Sequence, residues 1–263
     1  MKSLLFSALI LITLLTLEGI SYGQVAGLSN SKVGVLSTDG VAPGQFEFEA
    51  AFDVQKSRDF VTLAGEKTSL NGVLLSSGMG VRMTAGFDHG IEAGLSFPVD
   101  VSSVGGGIKW KFLTNGTKSL AFIGGVELIT ESGFISSDSS QRGSYTGGII
   151  FGYSNGKKMS YDADFSMTSY TSDGLGIPNR SFVYDLGIGY MVTDALQTVI
   201  EISFSNSYFT DSEYDNSIST LTSGYTFKIN DAMLVVMGVQ FDFKATNNYK
   251  GNTFLAGFTF TID

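Results

Sequence analysis

The sequence predicts an antiparallel β-barrel of about twelve strands that crosses a membrane and exposes its outer face to lipid. Three observations lead to this fold class. Apolar and polar residues alternate in successive segments from Gln45 to the end of the chain. Charged residues are absent from the apolar side of these segments. The connections between the segments alternate between short and mostly longer ones, as in an up-and-down barrel.

The clearest segment pair is residues 145–167, YTGGIIFGYSNGKKMSYDADFSM. The Asn155-Gly156 dipeptide supplies the positive φ angles that a tight hairpin turn requires. Aromatic and aliphatic residues occupy every second position on both sides of the turn, and glycine, hydroxyl and acidic residues occupy the others. Because a strand alternates its side chains at period 2, the hairpin has one apolar face and one polar face. A second sheet covers such a face in a soluble sandwich, whereas lipid covers it in a membrane barrel.

The remaining segments repeat this pattern along the chain. Their apolar sets fall within residues 46–54, 73–83, 91–99, 108–112, 120–128, 145–153, 159–167, 182–190, 200–208, 221–229, 233–243 and 254–262. Four apolar residues, Ile123, Ile129, Leu234 and Val236, fall on the polar side, which predicts an inward side chain, a bulge or a slipped register there.

Charged residues of the segments fall on the polar side, which faces the interior of a barrel. The candidate lumen-lining residues are Glu47, Glu49, Arg82, Glu92, Lys109, Lys111, Glu127, Asp162, Asp164, Asp185, Glu201 and Asp242. A charge at mid-depth in lipid costs about 2–4 kcal/mol, so its exclusion from the other side favours lipid there.

Opposite charges on neighbouring segments predict ion pairs across the interior. We expect Glu92 to lie near Lys111, and Glu47 or Glu49 to lie near Arg82. When Asp53 and Lys228 are included, ten acidic residues face four basic ones on the polar side. This surplus predicts an electronegative lumen that prefers cations or neutral solutes over anions.

The connections predict that the start of the first strand and the end of the last strand lie on the same side of the membrane. Short turns are predicted near residues 85–90, 114–118, 155–158, 193–195 and 230–232. On the opposite side the predicted connections are residues 56–72, 100–105, 132–143, 171–180, 210–217 and 245–251, of which only 100–105 is brief. Short periplasmic turns and longer outer loops are typical of outer-membrane barrels.

Residues 1–23 are expected to be a cleaved secretory signal peptide. Lys2 precedes an apolar run at residues 4–17, and small residues stand at Ser21 and Gly23. The alternative, a helical anchor, requires about 20 apolar residues and the run is shorter. Residues 24–44 are polar and weakly patterned, and form either a flexible segment or a plug in the lumen. Residues 45–263 form the predicted barrel.

Composition excludes several other classes of protein. The chain has 263 residues, no cysteine and a net charge of −9. The charge argues against nucleic-acid binding, and the missing cysteine excludes disulfides and thiolate metal sites. The single histidine, His89, lies in a predicted turn at the short-turn rim, whereas barrel hydrolases need their Ser–His pair on the wall at the outer interface. The acidic loop at residues 211–216 lacks the glycine and spacing of a calcium-binding loop. We therefore expect no catalytic residues, no metal and no cofactor.

Three stretches resemble the MetA-pathway of phenol degradation family of outer-membrane transporters. They are APGQFE at 42–47, MTAGFDHGIEAGLSFP at 83–98 and GGIKWKF at 106–112, so the resemblance covers mainly residues 42–113. The chain departs from many outer-membrane barrels by ending in FTFTID rather than on an aromatic residue. The resemblance implies passage of small, hydrophobic molecules across the outer membrane.

Together these features predict a passive channel or transporter for small solutes in the outer membrane of a Gram-negative bacterium. Small inward residues such as Gly148, Gly187 and Ser203 leave room for a narrow route, and residues 24–44 partly close it in the alternative in which they form a plug. The expected partners are outer-membrane lipid, a small-molecule solute and the barrel-assembly machinery. The alternative is a structural or adhesive barrel with a plugged lumen and its function in the extracellular loops.

Overall fold

A computed structural model describes residues 28, 32–129, 142–156, 158–171 and 178–263 of the chain. The predicted signal peptide, residues 1–23, lies outside the described residues, as do most of residues 132–143 and 171–180. No described stretch forms a helix with the length and apolar character needed to cross a membrane.

In the part of the chain that the structure describes, twelve strands form one closed antiparallel barrel, which confirms the predicted fold class. Each strand pairs with its neighbours in the sequence, and β1 pairs with β12 to close the sheet. The strands are β1 (Phe46–Val61), β2 (Lys67–Phe87), β3 (Ile91–Pro98), β4 (Ser103–Asn115), β5 (Lys118–Ile129), β6 (Arg142–Ser154), β7 (Met159–Tyr170), β8 (Arg180–Met191), β9 (Leu196–Tyr208), β10 (Asn216–Asn230), β11 (Met233–Thr246) and β12 (Asn248–Ile262).

The outer face of the barrel is an apolar belt. In β8, Leu186 and Ile188 are exposed, whereas the alternate residues Asp185 and Gly187 face inward and are buried. Among the described strand residues, exposed charges lie toward the strand ends, at Lys56, Arg58, Lys67, Lys118, Arg180, Lys228 and Lys244. The belt between these charges is therefore free of ionic side chains, as contact with lipid requires.

Two predicted long connections are wrong. Residues 56–72 are mostly strand, because β1 continues to Val61 and β2 begins at Lys67. Residues 245–251 are also mostly strand, and only Asn247, at a φ of 50°, separates β11 from β12. These hairpins keep their backbone hydrogen bonds beyond the apolar belt, where both faces meet water. The apolar alternation stops there although the strands do not.

No slip in register occurs at Ile123. It pairs with Lys109 on one side and with Gly148 on the other in an unbroken register. Ile123 is an inward-facing apolar residue, packed in a small buried cluster with Leu28, Leu36, Ala121 and Ile150. The bulge considered for this position is therefore wrong, and the nearest irregularity in the β4–β5 pairing lies between Lys111 and Leu113.

Candidate functional site

Part of the N-terminal region lies inside the barrel. Leu28 and residues 32–41, called the inner segment below, precede β1 and are mostly buried. Lys32 is 1% exposed and Leu36 is 2% exposed. Because both residues contact inward-facing strand residues, the inner segment and the surrounding wall form the candidate functional site.

Carboxylates of β7 and β9 accept hydrogen bonds from the backbone of the inner segment. The Glu201 carboxylate accepts from the Gly34 N–H at 2.9 Å and from the Val35 N–H at 3.3 Å. The Asp164 Oδ2 atom accepts from the Leu36 N–H at 3.1 Å. Three consecutive backbone amides are thereby held by wall carboxylates.

A buried ion pair joins the inner segment to β7. The Lys32 ammonium donates to the Asp162 carboxylate, and both side chains are nearly excluded from solvent. Lys32 therefore supplies a cation to the inward face of β7, which carries the acidic residues Asp162 and Asp164. Sequence reasoning identified Asp162 as a candidate but did not identify Lys32, because no periodic pattern relates residue 32 to β7.

A second buried ion pair lies on β3 and β4. Glu92 Oε1 and Lys109 Nζ are 3.1 Å apart. The predicted pairing of Glu92 with Lys111 is wrong, because the register of the hairpin places Glu92 opposite Lys109. Both side chains also hold the inner segment. Glu92 accepts from the Val41 N–H at 3.0 Å, and Lys109 donates to the Ser37 and Asp39 carbonyls at 3.0 and 2.7 Å.

Arg82 on β2 links β1 to the inner segment. Its guanidinium donates to Glu49 at 2.9 Å and lies 3.8 Å from Glu47. These distances agree with the expected pairing of Arg82 with Glu47 or Glu49. The guanidinium also donates to the Leu28 carbonyl at 2.6 Å.

Asp185 directly faces Asp164 across the β7–β8 pair. Both side chains are buried, and the Oδ1 atom of each has no hydrogen-bond partner among the described residues. Two acidic side chains are thereby brought together beside the backbone of the inner segment. This pairing of acids follows from the register and was not expected.

The other candidate lumen residues lie away from these contacts. Asp242 accepts from the Gly251 N–H at 2.8 Å, within the β11–β12 hairpin. Glu127 is half-buried near the end of β5, and Lys111 is half-buried beside a cavity at the short-turn end. The structure thus gathers Arg82, Glu92, Lys109, Asp162, Asp164 and Glu201 around the inner segment.

Wall glycines make room for the inner segment. A Cβ atom on Gly152 would lie 2.2 Å from Thr38 Oγ1. One on Gly187 would lie 2.9 Å from Lys32 Cδ and 3.2 Å from Val35 Cβ. The space expected at Gly187 for a solute route is therefore occupied by the chain itself.

Two cavities flank Asp39 at the short-turn end of the barrel. The larger has a volume of about 290 Å³ and is bounded by Glu47, Asp194, Gln197, Thr226 and Lys228, among others. The smaller, about 110 Å³, is bounded by Lys111, Ser119, Gly152 and Asp162, among others. Solvent-accessible space therefore reaches the inner segment from this end.

Neither the histidine nor the acidic loop forms part of this site. His89 is exposed in a 3₁₀ turn, Asp88–Gly90, at the short-turn end. In the acidic loop, Asp215 accepts from the Phe209 N–H at 2.8 Å. Within the described part of the chain, no three His, Asp or Glu side chains are arranged to hold a metal ion.

Solved structures share this fold at low sequence identity. The COG4313 outer membrane channel from Pseudomonas putida F1 is 13% identical, with a TM-score of 0.70 over 86% of this chain and 98% of that chain. The NanC porin is 7% identical, with a TM-score of 0.56 over 81% of this chain and 98% of that chain. The KdgM porin is 8% identical, with a TM-score of 0.52 over 82% of this chain and 99% of that chain.

These similarities establish the barrel fold. No protein-family model and no curated protein matches the chain. Membership in the MetA-pathway of phenol degradation family therefore stays a prediction from residues 42–113.

Proposed function

We propose that this protein is a bacterial outer-membrane channel for the passive passage of small solutes. The observation that carries the proposal is the closed barrel itself, with an apolar belt outside and charged side chains inside. Such a wall separates a polar interior from lipid, which is the basic requirement of a pore. The similar folds of solved channels and porins support the same assignment.

The solutes are neutral or cationic small molecules, and the resemblance at residues 42–113 adds small hydrophobic ones. The inward-facing strand residues carry more acidic than basic side chains, and Lys32 offsets only part of the surplus. The surplus of acidic side chains gives a narrow lumen a negative electrostatic potential, which favours cations over anions.

Passage through the barrel depends on the inner segment. Its contacts with Glu92, Lys109, Asp162, Asp164 and Glu201 fill the middle of the lumen. A solute either passes beside the inner segment from the cavities next to Asp39, or it passes after the inner segment has moved. Conductance of the native protein is therefore expected to be small.

The filled lumen also favours a second candidate function. A structural or adhesive barrel would keep its interior permanently closed and act through its extracellular loops. The buried ion pairs Glu92–Lys109 and Lys32–Asp162 are consistent with a permanent closure.

Conductance in planar bilayers separates the two functions. We expect purified mature protein to give small cation-selective steps, and the Gly187→Val variant to give larger ones. A reversal potential indicating anion preference would overturn the proposed selectivity. The absence of conductance in both proteins, with folding verified, would favour the structural barrel.

We also propose that the chain is exported through its signal peptide and is inserted into the outer membrane by the barrel-assembly machinery. Outer-membrane lipid and a solute are the partners, and the proposal assigns no enzymatic activity, cofactor or nucleic-acid binding. N-terminal sequencing of protein from isolated outer membranes should read from Gln24. Recovery of the chain in another cell fraction would contradict this location.

A further inference from the structure

The wall of the barrel recognises the inner segment mainly through backbone atoms. The amides of Gly34, Val35, Leu36 and Val41 donate to wall carboxylates, and the carbonyls of Leu28, Ser37 and Asp39 accept from Arg82 and Lys109. Two side chains of the inner segment also bond to the wall. Lys32 donates to Asp162, and the Thr38 and Ser119 hydroxyls share a hydrogen bond of 2.6 Å. Residues 32–35 and 38 are bends, and the backbone contacts are available to any peptide that follows the same backbone path.

These hydrogen bonds involve acidic and basic side chains in a buried setting. Hydrogen bonds to charged groups contribute about 1.5–3 kcal/mol each, roughly twice the contribution of neutral ones. Glu201, Glu92 and Lys109 are each no more than 3% exposed, so water competes weakly for them. The wall therefore presents fixed acceptors and donors that match the bent backbone of residues 32–41.

Two side-chain subsites add to this backbone recognition. At the first subsite, Asp162 forms an ion pair with the Lys32 ammonium. Four residues further along the inner segment, Leu36 packs in the apolar cluster with Ala121, Ile123 and Ile150. This cluster accounts for the inward position of Ile123. A matching ligand therefore has a cationic side chain at one position and an aliphatic one four residues later.

We propose that the interior wall is a binding site for a short peptide with this pattern, bound in the bent conformation of residues 32–41, and that the inner segment occupies the site in the resting protein. The inference rests on the proposed channel function, since it names such peptides as a class of solute. The cavities beside Asp39, bounded by residues of the short turns such as Asp194 and Gly116, give the route of access. The inner segment then acts as an internal competitor of the solute.

The test uses a full-length variant with a weakened inner segment. Gly34→Pro with Leu36→Pro removes two of the amide donors. Gly34→Ala with Leu36→Ala is the matched control, because it alters the same side chains and keeps both amides. A fluorescent peptide copying residues 32–41 is titrated into each protein in detergent, and anisotropy reports binding. Because each lost hydrogen bond corresponds to about a tenfold change in affinity, the proline variant should bind the peptide at least tenfold more tightly than wild type or control.

Altered peptides test what the wall recognises. A peptide N-methylated at the positions of Gly34, Val35 and Leu36 should lose binding, as should one with Glu in place of Lys32. A scrambled peptide that keeps lysine at its first position and leucine at its fifth should bind within about threefold of the original, because it keeps the groups that form the strong contacts. Equal binding of the N-methylated peptide, or no binding of the scrambled one, would overturn the proposal.

Folding and channel function are checked separately. Heat-dependent gel mobility establishes that each variant forms a barrel. If the proline variant does not fold, Lys32→Ala replaces it, because this change removes the inner segment's ion pair with Asp162 and leaves the wall unchanged. Absence of peptide binding to a folded variant with a released inner segment would overturn the proposal.

Peptide binding in detergent requires no conductance. A variant that conducts without binding peptide would overturn the peptide site alone, whereas one that binds peptide without conducting would overturn the channel.

Discussion

Glu92 and Lys109 lie opposite each other on β3 and β4 and form an ion pair of 3.1 Å that is almost completely excluded from solvent. The same two side chains bind the inner segment from the wall, at the Val41 amide and at the Ser37 and Asp39 carbonyls. The pair therefore couples the stability of the barrel wall to the position of the segment inside it.

We expect Lys109→Met to destabilise the protein by about 3–5 kcal/mol, because it leaves the Glu92 carboxylate buried without its cation. Urea unfolding of protein folded in lipid vesicles measures this change. Lys111→Met is the control, since Lys111 follows on the same strand but is only half-buried, and it should change the stability by about 0.5 kcal/mol or less. Equal destabilisation by both variants would show that the buried pair has no special role.

We expect Asp162→Asn to expose the inner segment to protease, because it removes the charge that holds the Lys32 ammonium. Trypsin cleaves after lysine, so a new N-terminus at Val33 reports release of the segment. Asp53→Asn is the control, because Asp53 is another inward-facing acid and its carboxylate lies against Gly78 of β2. A wild-type protein cleaved after Lys32 as fast as the Asp162→Asn variant would contradict this prediction.

Substitution at Gly187 should displace the inner segment by steric overlap. The Cβ of Gly187→Val would approach Lys32 Cδ and Val35 Cβ to 2.9 and 3.2 Å, and its methyl groups would come closer still. We expect larger single-channel conductance in planar bilayers. Gly147→Val is the matched control, because a Cβ on this exposed glycine has no neighbour within 4 Å. An unchanged conductance in Gly187→Val would argue that the segment does not limit passage.

A charge in the middle of the outer belt should oppose membrane insertion. Leu186→Arg, in the middle of β8, is expected to reduce the free energy of folding into vesicles by about 2–4 kcal/mol. Leu128→Arg, near the end of β5, should reduce it by about 0–1 kcal/mol, because an arginine near the interface reaches water. Both leucines are more than half exposed on the outer face, so the comparison isolates depth. Equal effects would be inconsistent with a lipid-facing belt.

The sequence by itself determined the barrel and its two faces. Period-2 alternation is a local property of each strand, so the sides of Leu186 and Asp185 follow from parity alone. The Asn155-Gly156 turn is local as well, and Gly156 has a φ of 78° in the structure. The pairing of Glu49 with Arg82 followed because the β1–β2 register places them opposite each other.

Only the tertiary structure decided what occupies the lumen and which charges meet there. Lys32 and Asp162 are 130 residues apart in the chain, and no local pattern relates them. The partner of Glu92 is Lys109 rather than Lys111 because the register of the β3–β4 hairpin, closed by residues 99–102, pairs those positions. Ile123 lies on the polar parity because Leu28 and Leu36 enter the barrel and pack against it. The closed sheet brings distant strands around one axis, and this long-range geometry creates contacts that alternation along a single strand does not encode.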